Sequence, residues 1–363
     1  MKNVPGAYPE CWRYPEGMRF TTAQTTAAST LPASALPALA LPVSALPRPL
    51  DFSFPSNRTA VYGAALFGAM ALLLGRSWRQ ALGIGGSSLL AWATGRELDP
   101  DSPASAAVAL GLAGISGLVQ TRQKQTGQGQ GAQERAAQAQ TGQAQPGQTQ
   151  AGQNPSRRNR GAAAPAILSG LAALSAVRLL TGTVGYAATR PDTLALSVQA
   201  GAAALAGYPV AAALPAAALA LSAAEQDTLR PHTEWGAALA LGAGLLPRVL
   251  GRRTSGAGSA GRQLPNKPPG TLLSALLSLV ALSLSRTLTA AEQPLSRCDQ
   301  VSLTVSASRL RASRIMGLGA LAAGLLRGES ASLVPLAAAC LGTGLRRAVH
   351  GRSRPEQSGQ AAA

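Results

Sequence analysis

Charged and aromatic side chains are both scarce in this sequence. Asp, Glu, Lys and Arg make up 13% of it and Phe, Trp and Tyr 4%. That is about half the charged share of an ordinary soluble domain. A soluble core of this size would use more Phe, Ile and Tyr, so the missing bulk needs another explanation. Histidine is rarer still. His232 and His350 stand without a second ligand or base at a useful spacing, which excludes a His-based metal site or catalytic triad written in local sequence. The three cysteines, Cys11, Cys298 and Cys340, are odd in number and far apart. They make neither a disulfide framework nor a zinc spacing, and Cys340, in an apolar stretch, reads as a small core residue. Walker A, HExxH, GxSxG and kinase patterns are missing. No catalytic, cofactor-binding or metal-binding set follows from the sequence.

In place of bulk the chain has 40 glycines and abundant alanine. Small residues let transmembrane helices approach closely, although a compositional bias would enrich them too. Stretches of Ala, Leu and Gly recur, each closed by an Arg-bearing loop. Val61–Gly75 runs into Arg76 and Arg79, and Trp235–Leu246 runs into Arg248, Arg252 and Arg253. Such stretches are apolar on every face, and helices of that kind need lipid or a large core around them.

The net charge of +17 invites a nucleic-acid reading. The arginines, however, sit at the ends of apolar stretches and in polar loops, without a helix-turn-helix, zinc-finger or RNA-binding aromatic motif. Basic loops flanking apolar helices fit cytoplasm-facing membrane loops and anionic lipid headgroups better. The partners expected are therefore the bilayer and its anionic headgroups, with nucleic acid not favoured.

Five regions follow. Residues 1–58 form a disordered Pro/Ala-rich tail, whose Ala-Leu-Pro repeats forbid a continuous helix. Residues 59–120 hold a first group of membrane helices, at roughly 61–75, 81–94 and 104–119. Residues 121–160 are a Gln/Gly-rich linker with nothing apolar larger than Ala. Residues 161–350 hold a second group, near 163–187, 193–207, 210–224, 235–250, 271–289, 315–327 and 331–345. Residues 351–363 are a disordered tail.

The expected fold is all-α, a polytopic bundle of about 8–10 apolar helices. Hairpin repeats are suggested by Tyr62–Leu66 against Trp235–Leu239 and by Ile167–Gly182 against Ile315–Gly328. Basic loops at 76–79, 122–160, 252–267 and 346–354 should face the cytoplasm, and the acidic loops 96–101 and 225–234 should face outward. The last two segments break this alternation. Either 301–314 or one short segment then lies on the membrane surface, or a basic loop falls on the wrong side.

Seven residues are functional candidates. Asp99 and Asp101 form an acid pair like those that hold Mg²⁺-diphosphate, though Pro100 and Pro103 point to a turn. Asp227, His232 and Glu234 share one loop with Glu225, where a metal or proton relay would need them to converge. Arg178 and Arg286 are charges inside apolar stretches, placed for function or for snorkelling to the headgroups. Pro209 and Pro215 are candidate breaks of the kind transporters use. Gly256–Gly261 matches GxGxxG but lacks the flanking strand and helix.

The expected function is a multi-pass membrane protein, transporter-like or a scaffold. The alternative is a soluble Ala-rich helical protein whose basic surface meets membrane or nucleic acid, and a membrane enzyme using the acidic loops comes third. The expected address is a membrane, the bacterial cell membrane by default and an organellar one as the alternative.

Overall fold

The computed structural model describes residues 55–120, 163–231, 235–254, 271–299 and 301–351. The head up to residue 54, the linker, His232, Glu234, the Gly256–Gly261 loop and the tail after 351 lie outside the described residues. The fold is all-α: every named element among the described residues is helical. In chain order these are α1 (Pro55–Leu73), α2 (Trp78–Leu98), α3 (Pro103–Gln120), α4 (Ala163–Thr181), α5 (Arg190–Leu205) and α6 (Pro209–Ala224). They continue with α7 (Gly236–Thr254), α8 (Thr271–Ser283), its short continuation α9 (Ser285–Thr289), α10 (Ala307–Arg327) and α11 (Val334–Gly351).

Local chemistry explains the boundaries. Gly75 adopts φ 73° after α1, the left-handed closure that glycine reaches without a Cβ penalty. Ser77 then caps α2 in a reciprocal box with Gln80, satisfying two backbone donors at the helix start. Thr189 and Asp192 do the same for α5. Pro209 opens α6 at the position where a missing N–H is harmless, whereas Pro215 sits inside a helix that continues to Ala224. Only the turn before Pro209 interrupts the chain there. The apolar stretch at 163–187 stops as a helix at Thr181, where Gly182 turns with φ 73°. Helix α10 begins eight residues before the expected 315, so 307–314 belongs to the same rod as the apolar segment after it.

Neighbouring contacts give the directions. Gly85 of α2 faces Ala64 of α1, and Gly68 of α1 faces Ala81, so the pair is antiparallel. Gly95 against Ala106 and Gly117 against Ile84 make α3 antiparallel to α2. Gly86 against Ile167, with Arg178 beside Glu97, makes α4 parallel to α2. Followed through the chain, successive rods alternate in direction. The loops after α2, α4, α6 and α9, together with the end of α11, gather at one end of the bundle. The turns after α1, α5 and α10 gather at the other.

Small residues make the closest helix contacts of the interior. Ala91, Ala109, Ala113, Ala172, Ala176 and Ala337 are fully buried in one core shared by helices from both sides of the linker. At Gly342 an added Cβ would lie 2.5 Å from the Ser105 carbonyl oxygen, and at Gly85 2.8 Å from that of Ala64. These are backbone-to-backbone approaches that only glycine permits. Several buried hydroxyls return to their own helix, Ser88 donating to the Ile84 carbonyl, Thr94 to Leu90, Thr181 to Val177 and Ser278 to Ser274, whereas Ser169 donates across to the Ser332 carbonyl at 3.1 Å. The first four are satisfied without a distant partner.

Leucines such as Leu98, Leu180, Leu321 and Leu336 fill the space between these close contacts, while other large apolar side chains point outward. Tyr62, Leu66, Met70 and Leu73 make an exposed stripe on α1, Leu194, Val198 and Leu205 on α5, and Leu272, Leu276 and Leu279 on α8. Among the described residues one helix, Pro103–Gln120, is both long and apolar enough to cross a membrane. The apolar parts of α4, α6, α7 and α8 are shorter.

Candidate functional site

Most acidic side chains of the described bundle collect at one end, and arginines from distant helices meet them there. Three clusters result.

In the first, Arg309, on the opening turn of α10, is fully buried. Its guanidinium donates to both carboxylate oxygens of Asp227 at 2.6 and 2.7 Å, to Ser222 Oγ at 2.9 Å and to the Leu180 carbonyl. The bidentate hydrogen bonds from Arg309 hold the Asp227 carboxyl below its ordinary range, against the opposing push of burial. One guanidinium thus ties together the ends of α4, α6 and α10.

In the second, Arg314 lies one and a half turns further along α10 and is also buried. It donates to the Leu98 carbonyl at 2.9 Å and to Glu292 at 3.0 Å. Arg346 of α11 meets Asp99 at 2.8 Å and Glu292 at 3.2 Å, and Arg347 also meets Glu292. Burial pushes the Asp99 carboxyl up, and the neighbouring Arg346 offsets this only in part. At Glu292 burial pushes upward too, but hydrogen bonding and charge from Arg314, with charge from Arg347 and Arg346, hold the carboxyl below its ordinary range.

In the third, Arg178 near the end of α4 lies 3.6 Å from Glu97 and 3.3 Å from Asp299. Thr183 donates its hydroxyl to Glu97, and the Asp299 N–H donates to the Thr183 carbonyl at 2.7 Å. The loop carrying Glu292 and Asp299 doubles back on itself, with Cys298 N–H to the Leu303 carbonyl at 2.7 Å. It is also tied to the turn after α2, where Asp101 accepts from the Leu295 and Ser296 N–H groups at 3.0 and 2.8 Å.

Beside Arg178, a cavity of about 40 Å³ opens between α4, α5 and α6, lined by Ser175, Arg178, Tyr186, Asp192, Ser222 and Leu229. It has room for about three or four waters at about 10–15 Å³ each. Arg178 already faces two carboxylates, and Asp192 accepts from the Thr189 N–H at 2.8 Å as a helix cap. Cys298 lies nearby, but burial and then the Asp299 charge push its thiol up. A thiol kept protonated is a weak nucleophile. The arrangement binds helix ends to each other. It offers hydrogen-bonding groups to a small polar molecule, and no activated nucleophile.

The sequence candidates thus fall in different places. Arg178, Asp99, Asp101 and Asp227 all stand at this end. Asp99 and Asp101 do not act as a pair, since each has its own partner on either side of Pro100. Arg178 is ion-paired rather than extended toward solvent, whereas Arg286 on α9 is exposed. His232 and Glu234 lie outside the described residues. Sequence reasoning missed Glu292, Asp299, Arg309, Arg314 and Arg346 as a set. Segment 307–314 does not lie apart as a surface segment, because Arg309 and Arg314 anchor it inside. The basic group starting at Arg346 stands with the acidic loops, not with Arg76 and Arg79, because Asp99 and Glu292 neutralise it there.

No protein-family model, no curated protein and no solved structure matches this chain.

Proposed function

We propose that the chain is a multi-pass membrane protein whose bundle serves as a static scaffold. The observation that supports this best is the exposure of large apolar side chains along three helices. Large apolar side chains form exposed stripes on α1, α5 and α8, while Ala and Gly make the closest helix contacts of an interior that also holds leucines such as Leu98, Leu180 and Leu336. In water, exposed stripes of this extent would drive association. In lipid they are the expected exterior, and small interior residues supply the close packing that holds helices together there. Helices shorter than about 20 residues fit this reading if they enter as packed hairpins rather than singly.

The distribution of charge agrees. Arg76, Arg79 and the Arg252–Arg253 pair lie at or beyond the end opposite the acidic loops, so the basic end is assigned to the cytoplasm. A transporter-like reading would rest on the cavity at Arg178 and Asp192. Its few-water volume and its engaged charges favour the scaffold.

Alkaline carbonate extraction tests the membrane assignment: the protein should stay in the pellet, and release to the supernatant would establish the soluble reading instead. Orientation is tested with single cysteines in a background in which Cys11, Cys298 and Cys340 are replaced by Ser, Ser and Ala. Leu74→Cys and Gln226→Cys should react with an impermeant maleimide from opposite sides of sealed vesicles. Labelling of both from one side would overturn the alternating topology in the membrane.

A further inference from the structure

Arg76 differs from the arginines of the three clusters, each of which meets a carboxylate. It is 6% exposed, and its Nε and Nη1 have no hydrogen-bond partner. A buried guanidinium left in this state is unfavourable, because it has lost its water and gained no acceptor. The backbone holds it in place. Gly75 turns with φ 73°, the Arg76 N–H donates to the Ala71 carbonyl at 3.0 Å, and Ser77 then caps α2. These contacts fix the backbone at Arg76 beside the start of α2.

Among the described residues, the charge beside this turn in sequence is positive. Arg76 directly precedes the start of a 21-residue helix with no acidic residue in its first turn. The partial positive charge of that helix start therefore adds to the guanidinium. Arg79 lies 5.4 Å from the Trp78 ring, one turn away. The ends of α1 and α3 that pack here carry no acid. The acid described at this end of the bundle, Glu329, is engaged with the Val210 N–H at 2.9 Å and with Arg327 at 3.4 Å. Leu73 and Trp78, exposed beside the turn at 87% and 61%, give it an apolar, aromatic rim of the kind found at the level of lipid headgroups.

We infer that the α1–α2 turn is a binding site for a phosphate group, with Arg76 as its buried cation and the start of α2 as its dipole. The assignment of that phosphate to a lipid headgroup rests on the membrane reading above; the anion site itself does not. A phosphodiester fits because the guanidinium presents N–H groups to oxyanions, and the dipole of the helix start favours an anion although its Ser77 and Gln80 N–H groups are already capped.

The test uses the full-length protein, purified in a neutral detergent. Thermal unfolding is followed while phosphatidylglycerol, phosphatidylcholine or inorganic phosphate is added. Phosphatidylglycerol should raise the transition and phosphatidylcholine should do so less. Arg76→Gln should weaken the response about ten- to hundredfold in the concentration needed, the loss expected for one charge-assisted hydrogen-bonded contact. Arg230→Gln, at the acidic end, should leave it unchanged and so controls for general attraction of anions. Arg76→Gln removes an unpartnered buried charge, so it should still fold. A response to inorganic phosphate alone, lost in Arg76→Gln, would keep the anion site and assign it to a free phosphate. If the protein is released by carbonate, the phosphate titration in aqueous buffer decides. A wild-type response that Arg76→Gln leaves intact, or no response to any of the three, would overturn the site.

Discussion

The two ends of this bundle handle arginine in opposite ways. At one end Arg309 and Arg314 are buried as completely as any leucine in the core, yet each finds a carboxylate and a backbone carbonyl. At the other end Arg76 is buried and finds neither. The difference is where the acids are. Asp99, Asp227, Glu292 and Asp299 serve the first end, while Glu329 stands at the second and is taken by Val210 and Arg327. An internally neutralised end is complete in itself, whereas an end with an unanswered cation requires something from outside.

Removing a carboxylate from the neutralised end should have the largest effect. Asp227→Ala strands Arg309 beside Ser222 and the Leu180 carbonyl, and should lower stability by about 3 kcal/mol. That is the lower part of the usual range, since Asp227 is itself 31% exposed in its side chain. Chemical unfolding of the purified protein measures it. Asp227→Leu with Arg309→Met should recover most of the loss, because an apolar pair of similar volume has no charge to desolvate. If the double variant is as unstable as the single, the cluster matters for its shape and not for its charge balance.

Helix packing next to the two ends gives the second contrast. At Gly342, one turn before Arg346, an added Cβ would meet backbone atoms of α3, Ser105 O at 2.5 Å and Ala109 N at 3.2 Å. At Gly324, near the basic end, the nearest atom is the tip of the Leu333 side chain. Backbone cannot rotate away and a leucine tip can. Gly342→Ala should therefore lose about 1–3 kcal/mol, and Gly324→Ala clearly less in the same unfolding assay. The first should also move α11 away from α3 and so loosen Arg346 from Asp99.

Arg76→Gln reverses the sign. In phosphate-free detergent it removes an unpaired buried charge while keeping much of the side-chain volume. Stability should hold or rise by about 1–2 kcal/mol. A loss as large as that of Asp227→Ala would mean that Arg76 has a partner within the protein and would erase the distinction between the ends.

Much of the architecture could be read from the residues. Gly75 with Arg76, Ser77 with Gln80, and Tyr208 with Pro209 punctuate the chain locally, and the helices they separate appear close to their expected places. The buried ion clusters could not be read this way. Arg309 and Arg314 look like surface residues because the groups that neutralise them, Asp227 and Glu292, come from other loops. Only the folded topology brings α6 and the 290–299 loop against α10. Asp99 and Asp101 show the same limit at short range. They are two residues apart and look like a pair, but the turn at Pro100 directs one to α11 and the other to the 295–296 backbone. The excess of arginine over acid near residue 346 misled in the same way, since Asp99 from far upstream lies beside it.

Acid should expose the contrast with the least intervention. Asp227 and Glu292 are held below their ordinary values by guanidinium partners, Asp227 through the hydrogen bonds from Arg309 and Glu292 by Arg314 and its neighbours against the push of burial. A carboxylate depressed in the folded state stabilises above its unfolded value and loses that contribution as pH falls through its folded one. Stability should therefore decline as pH drops below about 4. Asp99 acts with the opposite sign, because burial raises it. Its ionisation lowers stability as pH rises from the unfolded value through the folded one, so the top of the pH–stability curve should be flattened rather than sharpened. Asp227→Asn should remove part of the acid-side decline, with the curve measured by unfolding midpoint against pH. Arg76→Gln should shift that curve vertically without changing its slope, since no described carboxylate pairs with Arg76. A change of slope in Arg76→Gln would place an acid beside it and would make the two ends alike.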